Sequence, residues 1–248
     1  MEPSVSAEKL LKELDSFFHK NDYAAAEEYL LSKKKEFSND YKTQLLISNE
    51  LMGLYRKLGK RDTALSCVDE ALSIIKNNNL SQNIGSATTY LNCATVYKAF
   101  SLSEKSLPLF NKAREIYERE LCADDSRLGG LYNNMGLSLV DLKRFDEANK
   151  LYQKALHIAH STKGRDLDAA VTYLNMASAA EAQFGLENAD NTINGLLSQA
   201  KELLENYTLR DGYYAFVCEK CASVFGYYGF FMYEKELHER SRRIYEGS

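Results

Sequence analysis

Two cysteines three residues apart, Cys218 and Cys221 in the run CEKC, are the residues of this 248-residue chain best spaced for chemistry. A CxxC pair can cycle between dithiol and disulfide, or supply half of a zinc site. A structural zinc asks for four ligands, and His238 offers a third at most. On a helix, a spacing of three puts both thiols on one face, and free cysteine is common on buried faces. His157 and His160 are also three apart, but cations near a helix C-terminus are favoured electrostatically without any metal, and no Asp or Glu pattern completes a site. The sequence has no glycine-rich phosphate loop, HExxH or nucleophile elbow. The expectation is a protein that is not an enzyme and takes no metal or cofactor.

Bulk composition narrows the partners. Lys and Arg number 31 against 35 Asp and Glu, mixed along the chain, for a formal net charge of −4. Nucleic-acid binding rests on clustered cations against phosphates, and none are clustered here. No apolar run approaches the ~20 residues that span a bilayer. The opening MEPSVSAEKLLKEL lacks the basic-then-apolar order of a secretory signal. Five Cys without framework spacing fit a reducing compartment. These readings predict a cytoplasmic protein with neither nucleic acid nor membrane as partner.

The elements that must position any site are helices. Proline occurs at Pro3 and Pro108 alone, strand-like alternation is absent, and good helix formers dominate. The helices repeat. Ala71, Ala113 and Ala155 are spaced by 42, Ala200 follows after 45, and Ser241 after 41. Repeat three is the clearest, with Tyr132, Met135, Gly136 and Leu139 striping one helix, then LKRFDEA, a turn carrying Phe145 and Ala148, and then Tyr152 and Ala155 on a second helix. Spacings of three and four place each set on one face, and the small residues mark close helix approach. Repeat one gives Leu51, Tyr55, Gly59, Ala64 and Ala71, and repeat two gives Tyr90, Ala94, Tyr97, Phe110 and Ala113. Repeat four gives Tyr173, Ala177, Ala180 and Ala200, with about four extra residues around GLENAD (185–190). Repeat five gives Ala222, Phe225, Gly229, Phe231 and Ser241, and NDYAAAEEYLL (21–31) implies a preceding pair.

This pattern resembles the tetratricopeptide repeat, an aromatic, Leu-Gly, Tyr, Ala, Phe, Ala in that order. The 42-residue step is similar to the long-helix variety found in kinesin light chains and related bacterial proteins. The resemblance implies an all-α fold, an α-α superhelix of about six antiparallel helix pairs. They would form a single solenoid domain over 1–248, with repeats near 6–38, 41–78, 83–121, 125–163, 166–207 and 211–246. Pro108 in SLPLFNKA would cost its helix one backbone bond just past the first turn, unless the helix starts later or kinks.

Stacked helix pairs form a concave face lined by the first helices. Asn92, Asn134 and Asn175 recur at one place in three successive copies (TYLNCA, LYNNMG, TYLNMA), about 100° per residue round from the packing stripe. A carboxamide has one acceptor and two donors, suited to peptide groups whatever the ligand's side chains. In the peptide-binding proteins this chain resembles, groove asparagines do that work. Asn49, Arg56, Thr95, Lys98, Ser178 and Lys220 would share the wall. The same carboxamides could instead bond a neighbouring helix. Asn134 and Asn175 also stand where a carboxylate-clamp protein would need a cation, so chaperone C-terminal tails are not expected. Tyr227, Tyr228, Phe230 and Tyr233 in FGYYGFFMY are either core or an exposed end, and in the second case a homodimer contact. The expected function is a non-catalytic scaffold that captures a protein or peptide segment in the groove. The alternatives are a regulatory sensor for a small signalling peptide, acting in trans, and a self-assembling structural protein.

Overall fold

The computed structural model describes residues 5–246, and every regular element among them is an α-helix. The first residues of the stretch read for a secretory signal lie outside the described residues, as do 247–248. The chain divides into two compact units, 1–120 and 121–248. The first unit contains α1 (Val5–His19), α2 (Tyr23–Glu36), α3 (Tyr41–Lys57), α4 (Arg61–Asn77), α5 (Ile84–Ala99) and α6 (Ser103–Glu120). The second contains α7 (Ser126–Asp141), α8 (Phe145–Ser161), α9 (Asp166–Phe184), α10 (Leu186–Asn206), α11 (Gly212–Tyr227) and α12 (Phe231–Glu246).

Within each unit the helices pair in chain order, and a tight reversal ends each first helix. Six residues with positive φ sit at these reversals: Asn21, Gly59, Ser101, Lys143, Gly185 and Gly229. In five of them the backbone N–H after the left-handed residue reaches five residues back, as Lys60 does to Tyr55 O and Arg144 to Leu139 O, both closing helix ends in the Schellman manner. First helices also share a start signal. Asp40, Asn83, Asp125 and Asp211 each cap one by accepting a backbone N–H, with Asp125 taking that of Arg127 at 2.9 Å. Arg165 occupies that place before α9 and makes no side-chain cap.

Inside each pair the register residues meet. Ala71, Ala113, Ala155, Ala200 and Ser241 are all buried, so the step in the sequence is a step in the core. Gly136 shows why size matters there, since a Cβ on it would lie 2.5 Å from the Tyr152 ring. First helices also touch the first helix of the next pair, α3 against α5 in one unit, and α7 against α9 against α11 in the other.

Three local expectations are refined. The extra residues around GLENAD are helix rather than loop, since Gly185 alone separates α9 from the 21-residue α10. Pro108 is accommodated inside α6, which runs unbroken from Ser103 to Glu120. Phe231, expected in the core of the last pair, is 69% exposed, and Tyr233, two residues on, is buried against Phe225 in its place. The pair turns at Gly229 and α12 starts only at Phe231, which brings the inward face two positions later.

Candidate functional site

The recurrent asparagines belong to two matching relays, one in each unit. In the first, Asn92 Nδ2 donates to Asn49 Oδ1 at 2.9 Å, Asn49 Nδ2 donates to Thr89 Oγ1 at 3.0 Å, and the Thr89 hydroxyl donates to Gly85 O at 3.3 Å. In the second, Asn175 Nδ2 donates to Asn133 Oδ1 at 2.9 Å, Asn133 Nδ2 to Thr172 Oγ1 at 2.7 Å, and Thr172 Oγ1 to Asp168 O at 2.8 Å. Each relay stitches neighbouring first helices and satisfies a buried threonine hydroxyl.

The row read from the sequence therefore divides. Asn175 pairs with Asn133, the neighbour of the expected Asn134, because one residue is a 100° turn of the helix and only Asn133 faces the seam. Asn134 bonds its own helix, Nδ2 to Gly130 O at 2.9 Å. Asn92 and Asn175 each commit one N–H to the relay. Both side chains are half-buried, with a carboxamide oxygen and a second N–H left over.

In the second unit Asn134, Asn175 and Lys220 line one depression of about 190 Å³. Its wall from α7 includes Gly130, Asn133 and Asn134, its wall from α9 includes Asp168, Thr172 and Asn175, and α11 supplies Tyr213, Phe216 and Lys220. Ala155, Ile158 and Ala159 of α8 and Val171 of α9 give it apolar lining. Arg165 enters from the start of α9, its Nη1 3.5 Å from Asp168 Oδ2, while the Tyr213 hydroxyl donates to Asp168 Oδ1. Burial, then the Asp168 carboxylate, raises the Tyr213 pKa, which keeps that phenol a donor at neutral pH. Two cations, Arg165 and Lys220, thus line a depression whose single carboxylate, Asp168, is engaged on both oxygens by Arg165 and Tyr213. Arg165, Asp168, Tyr213 and Phe216 were not picked out by the sequence reading. The unusual Arg at a cap position and the Gly129-Gly130 pair were the available signals.

The remaining expected wall residues are more scattered. Ser178 is exposed, outside this depression, and donates to Leu174 O at 3.3 Å. In the first unit Thr95 Oγ1 donates to Leu91 O at 2.8 Å, and Arg56 and Lys98 stand in the last turns of α3 and α5. Of the aromatic quartet, Tyr227 is exposed and Tyr228 half-buried, and both donate to Glu181, at 2.6 and 2.8 Å. Phe230 is 38% exposed. Tyr233 is a core residue and not part of an outer surface, with its hydroxyl 2.6 Å from Glu205 Oε1.

Cys218 and Cys221 are fully buried. Burial pushes the Cys221 thiol up to about 12 and raises that of Cys218 as well, so neither is a ready thiolate. His238 is exposed and pairs with Glu219 at 3.1 Å, and His160 lies 3.3 Å from the Tyr173 hydroxyl. Among the described residues no three His, Cys, Asp or Glu side chains gather as metal ligands, and no helix is long and apolar enough to cross a membrane.

Comparison with known proteins agrees with this architecture. Tetratricopeptide repeat models match residues 44–119 and 130–159. No curated protein matches the chain by sequence. The fold is similar to that of BtubC (BKLC) from P. vanneervenii, with a TM-score of 0.67 at 21% identity over 82% of both chains. It is also similar to the nearly identical TPR-like repeats of a Podosopora anserina kinesin light chain-like protein, with a TM-score of 0.52 at 17% identity over 81% of this chain and 94% of that one. NprR, solved in complex with its cognate peptide NprX, matches with a TM-score of 0.61 at 19% identity over 96% of this chain, which spans 65% of NprR. Helix pairs and core register coincide with the family matches: the chain carries tetratricopeptide repeats over residues 44–119 and 130–159, in a fold shared with kinesin light chain-like repeats.

Proposed function

We propose that this protein is a non-catalytic scaffold that binds a protein or peptide segment on the faces of its first helices, with the depression of the second unit as the principal site. One observation carries this reading: Asn134, Asn175, Arg165 and Lys220 surround one recess with apolar lining. Amides of this kind pair with a ligand's peptide groups, and the cations select a segment bearing an acidic residue. At about 190 Å³ the recess is smaller than the roughly 300–1,000 Å³ of a site for a whole small molecule. A segment lying along the helices with one side chain inserted suits it better. In the first unit Asn92, Lys98 and Arg56 are assigned the same task. NprR, a fold neighbour solved with a peptide, supports the general mode.

The test is selection of a displayed random-peptide library on the native protein, followed by binding of the selected peptides to an Asn134→Ala/Lys220→Glu double variant. Selected peptides should weaken about tenfold or more on the variant, the scale of one lost charge-assisted contact. No enrichment on the native protein, or equal binding to both, overturns the proposal.

A further inference from the structure

Repeat three departs from its neighbours at one place. One turn into α7 it carries Gly129 and Gly130, where the neighbouring first helices have Ala87 and Thr88 or Ala170 and Val171. Glycine inside a helix is less favourable than alanine by roughly 0.5–1 kcal/mol. Nothing in the fold demands it here. Neither residue has a positive φ. A Cβ on Gly129 would make ordinary contact with Ile158 at 3.5 Å, and one on Gly130 would meet nothing within 4 Å. The space beside Gly130 is the depression itself.

A second departure borders the same recess. Four other first helices follow Asp40, Asn83, Asp125 and Asp211, whose side chains cap the helix, yet α9 follows Arg165, which caps nothing and reaches into the recess. A cation at a helix N-terminus opposes the helix dipole. Both local rules are broken around one hollow, which is where a functional site is expected to break them. Phe216 stands on the opposite wall with 54% of its surface exposed, an aromatic face available to a guest.

We infer that this hollow is a specificity pocket for one bulky apolar side chain, Leu- or Phe-sized, of a peptide that carries a carboxylate beside it, and that Gly130 is the residue that admits it. The inference rests on the peptide-binding reading and adds the class of side chain. Gly130 supplies clearance, Ile158 and Phe216 supply apolar contact, and Arg165 and Lys220 supply the charge complement to an adjacent Asp, Glu or C-terminal carboxylate. Arg165 and Lys220 outnumber the single carboxylate of the recess, Asp168, so a net positive charge remains after Asp168 has paired with Arg165.

The variants Gly130→Ala and Gly130→Leu test it without threatening the fold, because both replace glycine by a stronger helix former at an open position. The probe is the displayed random-peptide library selected on the native protein. Selected sequences should share a bulky apolar residue next to an acidic one. They should bind Gly130→Leu about tenfold or more weakly, the change expected from excluding one such side chain, with Gly130→Ala in between. Peptides that weaken on Asn134→Ala/Lys220→Glu but bind Gly130→Leu as well as native protein overturn the pocket while leaving the groove in place. Peptides indifferent to all the variants, or no enrichment on the native protein, remove the groove and the pocket with it.

Discussion

Asn92 and Asn175 each spend an N–H on a neighbouring first helix, so removing either leaves a partly buried carboxamide oxygen without its donor. Asn92→Ala and Asn175→Ala should each lower stability by about 1 kcal/mol in urea unfolding. Asn134→Ala, which loses only a bond to its own helix, should stay within about 0.5 kcal/mol of native. Equal losses at all three would contradict the relay. The sequence marks the presence of these asparagines clearly but not their partners. Repeat alignment compares equivalent positions, whereas neighbouring helices meet with an offset of one residue, and that offset turns Asn133 rather than Asn134 into the seam. Glu50 makes a different demand. Burial, and then the Asp15 carboxylate, raises its pKa, so the folded state holds this proton more tightly than the unfolded chain. The stability that follows is fully present below the unfolded carboxylate value of about 4.3 and is lost as pH rises through the folded one. Glu50→Gln should therefore melt higher than native protein at neutral pH and nearly level with it at about pH 4. A variant that melts lower at neutral pH would show that the ionised carboxylate is wanted.

Two glycines of α7 separate packing from access within one element. Gly136 faces the Tyr152 ring so closely that a methyl group forces the helices apart, and Gly136→Ala should cost about 1–3 kcal/mol. Gly130 faces open space, and Gly130→Ala should add roughly 0.5–1 kcal/mol. Opposite signs by chemical denaturation are the expected result, and a loss at Gly130 would mean that its surroundings are already filled. Most of the element pattern is legible in the sequence for the same physical reason that Gly136 is fixed. Small residues at helix crossings cannot drift without cost, so Ala71, Ala113 and Ala155 keep their step and mark the pairs. Reversals are harder to read. Left-handed turns fall on Gly59 and Gly229 but also on Ser101 and Lys143, residues with no preference for that conformation. The last reversal decides whether Phe231 or Tyr233 turns inward, and the aromatic run FGYYGFFMY offers several residues for one core place.

At the scale of the whole chain, a repeat array is held by contacts within and between neighbouring pairs, the last described one being α11 and α12. In the second unit that pair is secured by a polar clamp in addition to its apolar core. Arg240 of α12 donates to both oxygens of Glu205 in α10, at 2.9 and 2.8 Å, and to the Tyr214 hydroxyl of α11 at 2.9 Å. The Arg240 guanidinium holds the Glu205 carboxyl below its usual range, so this contribution is present above the unfolded carboxylate pKa and fades as pH falls through the folded one. The clamp is partly exposed, which limits it to about 1–2 kcal/mol. Arg240→Gln should speed amide exchange in α12 first, because Arg240 is what ties that helix to Glu205 of α10 and Tyr214 of α11, and should leave α7 unchanged. Acid should reproduce the same fraying in native protein and add little in the variant, which has already lost the charge pair. Exchange that rises equally in α7 and α12 would mean that the second unit opens as a single cooperative body rather than from α12.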